Sequence, residues 1–146
     1  MEIHFFFLIF IKTTFEKIIK NYDYIVDGTD NFESKFLIND LSLKYKKFLV
    51  TGAISKFDGH IFTFNFTNKK DPCLRCFYQE ETISDEILNC EYEGILGTVA
   101  GIIGTLQANE VLKKILNIGQ NLNGYILILD LLNLNFRKAK INKRKK

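Results

Sequence analysis

The chain has 146 residues, of which 47% are hydrophobic and 25% charged, a globular and not a disordered composition. The length suits one domain but is short for a doubly wound nucleotide enzyme, which needs two mononucleotide-binding halves. Net charge is +3, yet the last ten residues hold seven of the 20 cations and no anion, so the other 136 carry 13 cations against 17 anions. The body is mildly acidic and offers no nucleic-acid footprint, and the basic tail reads as a solvated chain end.

The apolar run Phe5–Ile11 is too short to span a bilayer and lacks the flanks of a signal peptide. It reads as a buried strand or a ragged start, with no membrane partner. Thr13-x-x-Glu16 is a capping-box pattern and predicts a short helix from about Thr14 to Asn21. Tyr22–Asp27 is a continuous apolar run closed by an acid and Gly28, the pattern of a strand buried on both faces of a parallel sheet. Asp30 can cap the next helix, expected over Phe32–Lys46, where Phe32, Phe36, Leu37, Leu41 and Tyr45 recur at helical spacing. Phe48–Gly52 reads as a further strand. Helix, strand, helix, strand predicts parallel pairing through right-handed crossovers.

Asp58-Gly59 opens a strand with alternation, His60–Phe66. Residues 67–93 are turn-rich and hold all three cysteines. Gly94–Leu116 predicts a long helix. Its small residues Gly94, Gly97, Gly101, Gly104 and Ala108 fall on one face, which predicts close approach of another backbone. Gly119 is a candidate C-terminal cap. Gly124–Asp130 and Leu134–Ile141 read as a final hairpin. No repeat or linker divides the chain, so residues 1–146 are expected to form one unit.

Three motifs carry chemistry. Asp27-Gly28-Thr29-Asp30-Asn31 stands where a parallel strand ends and a helix begins, the place where open α/β sheets bind ligands. A carboxylate there can hold magnesium on substrate phosphates, and helix N–H groups add anion donors. Spacing alone favours the plainer role of Asp30 as an N-cap. Cys73-Leu74-Arg75-Cys76 supplies two thiolates on one knuckle, half of a tetrahedral zinc site, with free thiols as the alternative. Cys90 precedes the glycine-striped helix, where a thiol can be activated as a nucleophile. The flanking Glu91 and Glu93 oppose that, and spacing alone favours a structural cysteine. An odd cysteine count with a Cys-x-x-Cys pair points to a reducing compartment, the cytoplasm or an organelle stroma.

The run Tyr22–Phe32, then Phe36-Leu37-Ile38-Asn39-Asp40, Gly52–Gly59, Cys73-x-x-Cys76, Cys90-x-x-x-Gly94-Ile95-Leu96-Gly97 and Gly104–Lys113 together resemble the ThiF/MoeB/HesA adenylyltransferases, bacterial relatives of ubiquitin-activating enzymes. The resemblance covers about residues 13–142. It implies an α/β, Rossmann-like fold, incomplete in its N-terminal half and closed by an antiparallel hairpin. It also implies ATP-dependent adenylation of the C-terminal glycine of a ubiquitin-like sulfur-carrier protein, in molybdopterin or thiamine biosynthesis. The complete enzymes are homodimers, and many carry zinc. By position, Asp30 matches the acidic residue serving Mg-ATP and adenylation, with Asn31 beside it. Cys73 and Cys76 match the first zinc pair. Cys90 matches the cysteine that in some members bonds to the carrier's activated terminus.

Three departures stand out. The nine glycines include no Gly-x-Gly, the phosphate loop with which the family opens, and no second Cys-x-x-Cys is present. Ser34-Lys35 stands where the family usually has Thr-Arg. The expectation is the C-terminal part of such an enzyme, cut at both ends and inactive alone. A non-catalytic carrier-binding or dimerisation remnant is the alternative. The strand at Tyr22–Asp27 would then present a bare edge unless Phe5–Ile11 or another chain covers it.

Overall fold

The computed structural model describes residues 12–68, 70–78 and 94–144. The expectations for Phe5–Ile11 and for Cys90 lie outside these residues. In chain order the elements are α1 (Lys12–Ile19), β1 (Tyr24–Asp27), α2 (Phe32–Lys44), β2 (Phe48–Ser55), β3 (Asp58–Asn65), α3 (Leu74–Phe77), α4 (Gly97–Leu116), β4 (Tyr125–Asp130) and β5 (Asn135–Lys140).

The strands form one sheet in the order β1-β2-β3-β4-β5. β1 and β2 pair in parallel, with Asp27 opposite Thr51. Parallel neighbours need a crossover, and α2 supplies it. The remaining pairs are antiparallel. Alternation along β2 and β3 splits the core between the two faces. Leu49, Phe62 and Phe64 join Phe15, Ile19, Phe36, Ile38 and Leu41 of α1 and α2 on one side. Phe48, Val50 and Ile61 meet Val99 and Ile103 of α4 on the other.

The parallel pairing and the final hairpin agree with the sequence reading; several local expectations do not. α1 begins at Lys12, ahead of the Thr14 start that the capping-box pattern predicted. Glu16 instead accepts from Lys44 Nζ and Tyr45 Oη, each at 2.5 Å, and fastens α1 to the end of α2. β1 is shorter than expected and is an edge among the described residues, with Val26 53% exposed, so it is not buried on both faces. Asn117, in the left-handed conformation at φ 52°, ends α4 in place of Gly119.

The glycine stripe of α4 does not face this chain's own sheet. Among the described residues, a Cβ added at Gly97, Gly101 or Gly104 would meet nothing within 4 Å. The buried face of α4 is Val99, Ile103, Gln107 and Glu110, offset from the glycines by two residues, about 200° around the helix. Close approach is made instead by the glycines of the sheet. A Cβ at Gly52 would lie 2.8 Å from Ile103 Cγ2 and 2.9 Å from the Gln107 amide, and one at Gly59 would also strike Ile103.

Candidate functional site

β1 ends at a carboxylate that is almost wholly buried, Asp27 at 1% exposure. A buried charge needs partners, and Asp27 has them on both oxygens. Oδ1 accepts from Thr29 N–H (2.8 Å) and Thr29 Oγ1 (2.7 Å). Oδ2 accepts from Lys35 Nζ (3.2 Å) and from the Thr51 hydroxyl. Lys35 is itself buried in α2 and also donates to the Gly52 carbonyl at 2.5 Å. From the opposite side of the sheet, Gln107 Nε2 donates to the Asp27 main-chain carbonyl at 2.8 Å and to that of Val50 at 3.4 Å. The notch at Gly52 is what lets this amide in.

Beyond this anchor the chain turns through Gly28–Asn31 into α2. Asn31, extended at φ −131°, is the N-cap: its Oδ1 accepts from Ser34 N–H at 2.8 Å. The expectation that Asp30 caps the helix is therefore corrected. Asp30 is exposed and accepts one bond, from Asn31 Nδ2 at 3.1 Å. An acid next to a helix start is well placed electrostatically, and with the capping done by its neighbour its carboxylate faces water.

The cysteine knuckle sits elsewhere. Leu74 N–H donates to Asn39 Oδ1 at 2.9 Å, and Arg75 grips Asp40 with Nε (2.9 and 3.2 Å) and Nη2 (2.8 Å). The Arg75 guanidinium also lies 4.4 Å over the Phe36 ring. Asn39-Asp40 of α2 and Leu74-Arg75 are thus two halves of one clasp. It lies eight residues along α2 from Asn31, about 12 Å by the helical rise. So the structure pairs Asp30 with Asn31 and Cys73 with Cys76, and holds the two pairs at different levels of α2.

Cys73 Sγ and Cys76 Sγ are 3.8 Å apart. Two thiolates on one tetrahedral zinc, each at about 2.3 Å, would stand about 3.8 Å apart. The knuckle fits half of such a shell. Among the described residues no group of three or more His, Cys, Asp or Glu could complete it. Burial raises the Cys73 thiol, and Cys76 beside it adds to that. Burial acts the same way on Cys76, but the main-chain N–H groups of Arg144 and Cys73 and the charge of Lys143 outweigh it, so that thiol is lowered.

Glu110 closes the far side. Buried in α4, it accepts from Thr63 Oγ1 (3.1 Å), Asn121 Nδ2 (3.1 Å) and Leu122 N–H (2.8 Å), and pairs with Lys113. It holds the 117–124 connection against β3. The sequence places Asp27 in the strand-end motif and Lys35 among the departures from the family pattern, but it does not foresee the buried contact between them, nor the roles of Gln107 and Glu110. The available signal was two polar residues, Gln107 and Glu110, on the face that Val99 and Ile103 make apolar.

The fold and site define an open α/β domain that presents a carboxylate-bearing turn beyond the carboxyl end of a parallel strand. The sequence pattern of the ThiF family matches residues 1–146, and the chain belongs to that family. It is 40% identical over 126 residues to a probable molybdopterin-synthase adenylyltransferase of Gracilaria tenuistipitata var. liui, covering 86% of this chain and 35% of that protein. It is 35% identical over 130 residues to the sulfur carrier protein adenylyltransferase of Thermus thermophilus, covering 87% and 48%. The chain thus spans about a third to a half of these curated relatives. Among solved structures it resembles E. coli MccB with succinimide, at TM-score 0.74 and 14% identity over 93% of this chain and 41% of that one. It also resembles the E. coli MccB complex with ATP, at TM-score 0.65 and 14% identity over 83% and 37%. These likenesses place the chain in the Rossmann-like fold of the family. No described helix is long and apolar enough to cross a membrane.

Proposed function

We propose that this chain is the carboxylate-bearing part of an ATP-dependent adenylyltransferase that activates the C-terminal glycine of a ubiquitin-like sulfur-carrier protein, for molybdopterin or thiamine biosynthesis. The observation that carries this is Asp30: exposed, one turn beyond the carboxyl end of β1, and released from capping by Asn31. Asp30, with Asn31 beside it, would hold magnesium, which when bound neutralises charge on the nucleotide phosphates. The N-terminal N–H groups of α2 add donors for an anion. In the reaction a carboxylate oxygen of the carrier's last glycine attacks the α-phosphorus of ATP. The bond to pyrophosphate breaks, and an acyl-adenylate remains for a sulfur donor. Cys90 is assigned by the family pattern to capture of the activated terminus. Cys73 and Cys76 would supply two of four zinc ligands. The complete enzyme is proposed to be a homodimer of a reducing compartment, with no nucleic-acid or membrane partner.

A second reading is a non-catalytic carrier-binding or dimerisation module. It is favoured by the face of α4 where, among the described residues, Gly97, Gly101 and Gly104 have nothing within 4 Å of a Cβ position. Two measurements separate the readings. The 146 residues contain no Gly-x-Gly, so carrier-dependent ATP–pyrophosphate exchange by this chain alone is expected to be nil; exchange that Asp30→Ala abolishes would show the chain to be self-sufficient. Capture of the chain by a Gly-Gly-ended carrier, unchanged in Asp30→Ala, would support the binding module.

A further inference from the structure

We propose that Asp27 and Lys35 are positioning residues that present Asp30, an inference resting on the reading of Asp30 above. Asp27 has no oxygen to spare for a ligand. Its Oδ1 is taken by two donors of Thr29 and its Oδ2 by Lys35 and Thr51. What this carboxylate does is gather three segments at one point: the turn after β1, the first turns of α2, and the parallel neighbour β2. Lys35 makes the gathering two-sided, because its ammonium bridges Asp27 to the Gly52 carbonyl. Gln107 fixes the same residue's main chain from α4.

The turn that carries Asp30 is consequently pinned at both ends. Thr29 is tied back to Asp27, and Asn31 is tied forward to Ser34 N–H. Asp30 is the residue between the two ties, and its own contact is with Asn31. A carboxylate on an unpinned turn would sample many directions, and ordering it at the moment of binding would weaken that binding. Two buried, fully engaged groups behind one exposed acid form a supporting arrangement of the kind that orients metal ligands. Ser34-Lys35 stands where the family usually has Thr-Arg. In this chain the cation at position 35 faces Asp27.

The test uses the full chain and two readouts. The first is amide hydrogen exchange at Thr29, compared with Leu49 and Phe64 in the sheet. In Lys35→Met, exchange at Thr29 is expected to rise about tenfold relative to the two core amides, and Lys35→Arg is expected to restore it. The second is Mn²⁺-induced line broadening of the Gly28, Thr29 and Asn31 amides, which Asp30→Asn should remove, Lys35→Met weaken and Lys35→Arg keep. Unchanged exchange at Thr29 in Lys35→Met, or a rise only in step with Leu49 and Phe64, overturns the proposal. Should Lys35→Met fail to fold, Thr29→Val removes one tie to Asp27 Oδ1 and leaves the Lys35 contact with Oδ2 in place, and the same local rise is expected at position 29. Broadening absent from the unaltered chain would contradict the role of Asp30, while the exchange readout would still decide the positioning.

Discussion

The side-chain amide of Gln107, on α4, donates to the main-chain carbonyl of Asp27 at 2.8 Å, joining residues 80 positions apart across the sheet. That bond links the glycine-rich helix to the strand end carrying the candidate site. Removing the amide strands a buried carbonyl, at a cost of about 1–3 kcal/mol. Gln107→Leu is therefore expected to lose about that much in urea unfolding. The m-value should stay unchanged, because the exposed surface is the same.

The glycines of sheet and helix should respond oppositely to alanine. Gly52→Ala would push a Cβ to 2.8 Å from Ile103 Cγ2, an overpacking worth about 1–3 kcal/mol. Gly59→Ala would strike Ile103 Cδ1, and part of its cost should return when it is combined with Ile103→Val, which removes that methyl, giving a coupling energy in a double-mutant cycle. Gly101→Ala and Gly104→Ala meet nothing among the described residues. They should be neutral or stabilise by up to about 1 kcal/mol through helix propensity. Thermal melts of the single variants check this.

Acid should loosen the joint between α1 and α2. The ammonium of Lys44, then the hydroxyl of Tyr45, holds the Glu16 carboxyl at about 2. A lowered folded value means that stability is present above the unfolded value of 4.5 and drains as pH falls toward 2. Lys44 is raised by the same contact, so its contribution is present below 10.5 and is lost in strong alkali. Glu16→Gln should flatten the stability profile between pH 5 and 2 relative to the unaltered chain, measured by urea midpoints across that range.

The two knuckle thiols should separate by reactivity. Cys73 is raised by burial and by its neighbour, whereas Cys76 is lowered by the N–H groups around it. The thiolate is the reacting form. Iodoacetamide at neutral pH should label Cys76 before Cys73, as peptide mass spectrometry would show. Equal labelling would contradict the asymmetry.

Long-range order was legible because periodicity reports which face is buried. The α2 spacing, the parallel pair β1–β2 and the closing hairpin follow from it. What stayed hidden depends on direction and not on spacing. Asp30 and Asn31 are both good caps, and only the backbone angle at Asn31 decides which one turns inward. The α4 glycines form a stripe on paper, but Val99 and Ile103 bury more apolar surface and win the contact with the sheet. Asp27 read as the end of an apolar run. Its partner Lys35 is eight residues away, and no spacing rule joins the two until α2 folds over β2.

The central claim is that Asp30 serves the nucleotide. It is tested most directly by joining this chain behind the glycine-rich segment of the Thermus thermophilus relative and measuring carrier-dependent ATP–pyrophosphate exchange. Asp30→Ala should cut exchange by a factor on the order of 10², the scale of a lost electrostatic contact in the transition state. Its melting temperature should be unchanged, because the side chain is exposed and Asn31 does the capping. Exchange in Asp30→Ala equal to that of the unaltered joined protein would contradict the assignment.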